Sequence, residues 1–379
     1  MIMAADKQDK VLNVPTLRFP EYSDKWLECE LQDIADLSKG AGISKDQLSE
    51  TGESCILYGE LYTKYKSEVI SNVVSKTNIE STNLVRSKAN DVIIPSSGET
   101  AIDISTARCV PYDNILLGGD LNIIRLKDQD GRFFSYQLNG VRKLDIAQIA
   151  QGVSVVHLYG ESLKRLKVRY PSKSEQEKIS SLLSVLDERI ETQNRIIDKL
   201  QSLMKGLAEH FTAFTPNIKI ADCLNCHSSI LQENQVKDEG KYKGYGANGI
   251  CGYSDSPAIL EDTILIVKDG SGVGNVSYAS GEYSVIGTSN YLTAKSGYSL
   301  KYLYYCLMIF NFVPYRTGMA IPHIYFKDYG KALIYCPSLD KQIQIATLLS
   351  KIECKIEAEK TITDSYQQQK RFLLQSMFI

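Results

Sequence analysis

From Ser174 to Phe211 apolar residues return at intervals of three and four: Ile179, Leu183, Leu186 and Ile190, then Ile197, Leu200, Met204, Leu207 and Phe211. The spacing predicts one amphipathic helix with a narrow apolar seam that only Gln193 interrupts. No proline falls between Pro171 and Pro216, Ser172 or Ser174 can cap the start, and Glu177 stands three residues after Ser174 as in a capping box. Such a helix would extend roughly 55–60 Å at about 1.5 Å per residue, too long for an ordinary core helix, so its seam requires a helical partner. Ile345, Leu349, Ile352 and Ile356 repeat the register near the end of the chain; Glu359, Thr363 and Lys370 disturb it before Leu373 and Met377 restore it. Two separate surface helices would be the alternative, but solitary helices of this length are marginal in water, so the two are expected to pair.

Ahead of each helix, roughly over 20–170 and 212–336, the period changes. "DVIIPSSGE" (91–99), "LNIIRLK" (121–127), "TILIVKDGSG" (263–272) and "YSVIGTSNYL" (283–292) predict strands broken by turns. "SYQLNGVRKLDIAQIA" (135–150) and "KYLYYCLMIFNFV" (301–313) predict a helix before "GVSVVHLY" (152–159) and "GMAIPHIY" (318–325), phrases that share Gly, His and Tyr at an offset of about 166 residues. The fold class is therefore α/β (α+β) with a pseudo-two-fold internal repeat. Its parts are a first domain over 1–170, a central long helix over 171–211, a second domain over 212–336 and a C-terminal long helix over 337–379.

Composition adds bounds. With 43% hydrophobic and 23% charged residues, 379 residues suffice for two or three cored domains. The start, "MIMAADKQDKVLNVP", has no leader pattern and no window approaches 18 apolar residues, so a cytoplasmic location away from membranes is expected. Nine scattered cysteines fit reduced thiols. A net charge of −2 means that any nucleic-acid role needs local basic groups or a basic partner. The 23 tyrosines, dense from Tyr242 to Tyr305, suit either strands or a recognition surface.

Catalytic motifs are missing from the sequence: there is no phosphate loop, HExxH, nucleophile elbow or aromatic-flanked Asn/Asp-Pro-Pro, so no catalytic residue is assigned. "DGSGVGN" (269–275) is followed by "VSYASGEYSV" rather than a helix, and reads as a strand-to-strand loop. "CLNCH" (223–227) lacks a second ligand pair, and is read as partly buried thiols, with no metal assigned. His157 and His323 lack a repeated carboxylate partner, position 161 being Glu and 327 Lys. Each loop either offers backbone amides and imidazole to a phosphate or base edge, or holds a structural His at a tight turn.

These repeats, with "PSKSEQEKISSLLSVLDERIE" (171–191) and "PSLDKQIQIATLLSKIECKIE" (337–357), resemble the specificity subunits of type I restriction-modification systems over essentially the whole chain. "PSSGETAIDISTA" with "LGGDLNIIR", and "YGANGICGY" with "VKDGSGVGN" and "GTSNYL", resemble two classes of target-recognition domain. The resemblance implies two recognition domains on an antiparallel coiled coil. It implies a non-catalytic reader of double-stranded, bipartite, asymmetric DNA, bound to two methylation subunits and two restriction subunits. S-adenosylmethionine, ATP and magnesium would belong to those partners and no cofactor to this chain. Base-reading chemistry then selects Ser96, Ser97, Glu99, Thr100 and Arg108, with Lys39 on phosphate, in the first domain. In the second it selects Tyr245, Asn248, Lys268, Ser271, Asn290 and Arg316, and His157 and His323 join from the repeated loops. The alternative is a non-catalytic scaffold whose tandem modules bind proteins.

Overall fold

The computed structural model describes residues 14–80 and 83–379. The leader reading of Met1–Pro15 falls almost wholly outside the described residues. Among the described residues no helix is long and apolar enough to cross a membrane.

The short apolar runs form strands where expected. In the first half of the chain β1 (Ala35–Lys39), β2 (Asp91–Pro95), β3 (Arg108–Val110) and β4 (Leu121–Leu126) make an antiparallel sheet in the order β1-β4-β2-β3. Helix α1 (Gly131–Asn139) covers it, its start capped by the Asp130 carboxylate. Helix α2 is the long one, Lys173–Thr212. The second half repeats the plan with β5 (Leu224–Ser228), β6 (Thr263–Val267), β7 (Val276–Ala279) and β8 (Ser289–Ala294), in the order β5-β8-β6-β7. Helix α3 (Leu300–Met308) takes the place of α1, and α4 (Leu339–Ser376) closes the chain. The glycine-rich 269–275 segment is the turn between β6 and β7.

The expected helix over 135–150 is two helices, α1 and a shorter one at Lys143–Ile149, because Gly140 leaves helical geometry at φ −90°, ψ −109°. Ser174 is not the cap of α2 either. The helix begins at Lys173, so Ser174 lies inside its first turn, and the Ser172 carbonyl receives the amides of Glu175 and Gln176.

The chain divides into two compact units, 1–193 with 362–379, and 194–361. Each long helix gives one part to each unit. In the first unit Ile179, Leu183, Leu186 and Leu373 are buried with Trp26, Phe133, Phe134 and Phe378, and Ile190 is half-buried. The Asp187 carboxylate meets Lys370 at 2.5 Å and Arg189 lies over the Tyr366 ring, so α4 runs back along α2 there. In the second unit Leu349 is buried beside Ala208 and Ala346 with Met204, Leu207 and Ile345 packed on them; Ile197 and Ile356 are buried, Leu200 and Ile352 half-buried.

Polar groups at repeated positions tie the long helices to the domains. Buried Gln176 donates to the Pro171 carbonyl at 2.9 Å and accepts the amide of Asp130, the cap of α1, at 3.1 Å. Buried Gln342 does the same with the Pro337 carbonyl at 2.8 Å and the amide of Ser299, the cap of α3, at 2.9 Å. About three helical turns further on, Tyr136 donates to Asp187 at 2.7 Å, and Tyr305 and Tyr304 donate to Glu353 at 2.9 and 3.1 Å. Burial, with Asp187 beside it, pushes the Tyr136 hydroxyl up, keeping it a donor.

Lys370, a break in the seam, reaches both Asp187 and Glu68. Burial works against its charge, but the two carboxylates outweigh this and hold its proton above the usual lysine range. Lys370→Met would leave the Asp187 and Glu68 carboxylates without the cation they share. It is expected to cost about 3–5 kcal/mol, read as a lower urea midpoint, whereas an unchanged midpoint would mean the cluster contributes nothing to stability.

Candidate nucleic-acid interface

In the first unit β2 turns at Ser96 into the two-residue strand Ser97–Gly98. The Ser96 amide donates to the Asp120 carbonyl at 2.8 Å, and Val156 and His157 pair antiparallel with Gly98 and Ser97. Lys39 ends β1 exposed, in register with Asn122 at the start of β4. Lys39, Ser96, Ser97 and His157 are thus gathered at one end of the sheet. Their roles differ: Ser96 and Ser97 are 5% and 8% exposed and shape the turn, while Lys39 and His157 face solvent. Glu99 and Thr100 are exposed just beyond, but the Thr100 hydroxyl accepts the Asp103 amide at 3.1 Å and caps Ala101–Ile104.

Arg108 has to be corrected. It is 7% exposed, and its guanidinium donates to the carbonyls of Leu61 at 3.0 Å and Tyr65 at 2.9 Å. Burial lowers its pKa, against the pull of Glu68 and Asp187. This cation satisfies backbone inside the fold and cannot reach a base.

In the second unit the turn after β6 is the centre. The Lys268 amide donates to the Thr288 carbonyl at 3.0 Å, Gly270 to Pro322 at 3.0 Å, and Arg316 Nη2 to the Val273 carbonyl at 2.8 Å. His323 Nδ1 lies 2.7 Å from Asp269 Oδ1. A hairpin of Tyr242–Gly246 and Gly249–Ser254 brings its tip to the same turn, the Ala247 carbonyl lying 3.7 Å from where a Cβ on Gly272 would stand. Asn248, Ser271, Lys268, Arg316 and His323 therefore come together, all but Lys268 and His323 exposed and those two half-buried. Tyr245 is half-buried, edge-on to Tyr283 at 5.5 Å. Asn290 is the second correction: it is 5% exposed and its Oδ1 accepts from Ser228 at 2.8 Å, so its amide braces β8 against β5.

The repeated loops have one geometry. The backbones of Gln151 and His157 exchange both hydrogen bonds, at 2.9 and 2.7 Å, and those of Thr317 and His323 do so at the same lengths. Gly152 has φ +126° and Gly318 φ +84°, and a Cβ there would stand 2.1 Å from the Val155 carbonyl and 2.4 Å from that of Ile321. Only glycine fits this turn, which is why the glycine recurs.

Two features escaped the sequence. A cleft of about 710 Å³ in the first unit is lined by Ser44, Lys45, Gln47, Tyr58, Lys64 and Asp120; its signal is the polar run "KGAGISKDQ" directly after β1. On the second unit His227 stacks on Tyr291 at 4.9 Å with Nε2 3.1 Å from the Thr293 hydroxyl. Cys223 bonds to the Ile220 carbonyl in the core, and burial pushes its thiol up to about 12 and that of Cys226 up to about 11.

A family model for the type I restriction modification DNA specificity domain matches residues 23–202 and again 218–366. A Mycoplasma genitalium (strain G37) protein described as a candidate type I specificity subunit is 29% identical over 178 residues, covering 42% of this chain and 46% of that protein. The specificity subunit of the type I restriction enzyme EcoprrI from Escherichia coli is 22% identical over 173 residues, 45% of this chain and 38% of its own length. The chain thus spans less than half the length of these relatives. Among solved structures, the S subunit of a type I restriction-modification system from M. genitalium matches 97% of this chain and 99% of its own, with a TM-score of 0.69 at 19% identity. A chain from a structural study of complex assembly and conformational transition in the type I system matches 92% and 96%, with a TM-score of 0.52 at 13% identity.

Arg108→Met strands two buried carbonyls and is expected to destabilise the protein by about 2–3 kcal/mol, whereas exposed Asn248→Ala should stay within about 0.5 kcal/mol of wild type. Urea unfolding of both variants checks this; an Arg108 variant as stable as wild type would return that residue to the interface.

Proposed function

This chain belongs to the family of type I restriction modification DNA specificity domains, and on that premise we propose that it reads a bipartite, asymmetric DNA target, one half with each unit. The observation that carries the proposal is that two sheets of identical strand order present different side chains on equivalent turns. Ser96 and Ser97 follow β2 where Lys268 and Asp269 follow β6, and Asn248, Ser271 and Arg316 crowd the second turn. One scaffold with two unlike reading edges suits two unlike half-sites.

In this reading Asn248, Lys268, Arg316 and Gln47 supply hydrogen bonds to base edges in the major groove, where each base pair has a distinct donor and acceptor pattern. Lys39 and Lys45 meet phosphate, the contact that sets affinity and salt dependence without selecting sequence. The long helices act as the spacer, so that two weak readings combine through effective concentration.

Catalysis falls to partner subunits in the cytoplasm: two methylation subunits using S-adenosylmethionine, and two restriction subunits using ATP and magnesium. This chain contributes no catalytic residue. The outer faces of the long helices support a partner role, since Leu182 and Leu348, at matching points of the repeat, are 37% and 43% exposed, near Val185 and Ile343 at 49% each.

Co-expression with the methylation subunit in a methylation-free host, followed by long-read mapping of modified adenines, should give a single split motif modified in both halves. A continuous motif, or none from an assembled complex whose methylation subunit is active with another specificity subunit, would refute the proposal. Inserting four helical residues after both Glu191 and Glu357 adds about 6 Å and should widen the unspecified spacer by about two base pairs at roughly 3.4 Å each; an unchanged spacer would exclude the helices as the ruler.

A further inference from the structure

A reader of two different half-sites has two kinds of surface. Residues that touch bases must differ between the units, because the bases differ. Residues that are the same in both units meet something that is itself the same on both sides. The loops 151–157 and 317–323 are the clearest case of the second kind: the same glycine constraint, the same pair of main-chain bonds, and the same stacked His–Tyr pair beyond, His157 with Tyr159 at 6.1 Å and His323 with Tyr325 at 6.5 Å.

What the loops display separates the two components that recur on both sides, the sugar-phosphate backbone and the methylation subunit. From Gln151 to Tyr159 and from Thr317 to Tyr325 there is no charged residue. Contact with phosphate draws its affinity from Lys and Arg that displace counterions, and these segments have none to offer. They instead hold out aliphatic side chains: Val153 is 95% exposed and Val155 53%, while Met319 is fully exposed and Ile321 58%. A turn that rigidly presents two apolar side chains to water, twice in one chain, fits burial in an uncharged depression on a protein.

Resting on the functional reading above, we propose that the loops Gly152–Val156 and Gly318–Pro322 are twin docking knobs, each seating one copy of the methylation subunit. Each knob springs from the strand pairing that also holds the reading turn, Ser97 with His157 and Asp269 with His323. The contact therefore ties each methylation subunit to the half-site that its own domain reads.

The test is assembly without DNA. The full chain is co-purified with its methylation subunit and the complex is weighed by native mass spectrometry and titrated. Val153→Asp with Val155→Asp should remove one of the two methylation subunits, weakening that site at least tenfold. Met319→Asp with Ile321→Asp should remove the other, and the combined variant both. Serine at the same positions should give a smaller loss in the same direction, and an unchanged urea midpoint would show that the fold is intact. Adenine mapping of each single-loop variant should lose modification in one half of the motif. If all variants keep two methylation subunits at wild-type affinity, the proposal is overturned; a fall in DNA affinity with assembly intact would assign the loops to the duplex instead. Failure of the wild-type chain to take up the methylation subunit would overturn the functional reading, and the docking with it.

Discussion

A helix of 40 residues with an apolar seam only a few side chains wide leaves that seam in water unless something covers it, and most helical stability in proteins comes from packing such a face. The seam has to be covered along its length, and everything else in the fold answers to that requirement. Where α2 enters the first unit its seam meets the end of α4 and the aromatic core of Trp26, Phe133 and Phe378. Where it continues into the second unit, Met204, Leu207 and Ala208 meet Ala346 and Leu349.

Apolar burial is not directional, so it leaves the register of a long helix against a domain loosely defined. The repeated glutamines define it. Gln176 and Gln342 each bond to a proline carbonyl just before their own helix and to the capping residue of α1 or α3, a geometry lost by a slip of one residue. The carboxylates Asp187 and Glu353 add a second fixed point through tyrosines of those same helices, although the tyrosines come from different positions, Tyr136 in one case and Tyr304 with Tyr305 in the other. Lys370 belongs to the same logic: it breaks the apolar pattern, and in exchange links α4 to α2 and to Glu68.

With the sheets held in this way, the turns at their ends can vary. The turns after β2 and β6 have equivalent backbone partners, yet one carries serines folded inward and the other carries Lys268, Asp269 and Ser271 supported by Arg316. Conserving backbone bonding while exchanging side chains lets one architecture carry two different surfaces.

The sequence by itself determined the duplicated plan, the long helices, the strands and the glycine of each repeated loop, since all of these rest on local periodicity and local backbone geometry. It could not separate surface from interior among polar residues. Arg108 and Asn290 have the side chains of base readers, but burial depends on groups distant in the chain: Arg108 is enclosed by Leu61 and Tyr65, and Asn290 meets Ser228 across two strands. For the same reason the cleft of Lys45, Gln47, Tyr58 and Asp120 had no sequence signature beyond a polar run, because its walls come from three separate segments. Only the tertiary structure decided which hydrogen-bonding groups remain free for a ligand, since those groups are what is left after the backbone and the core have taken their share.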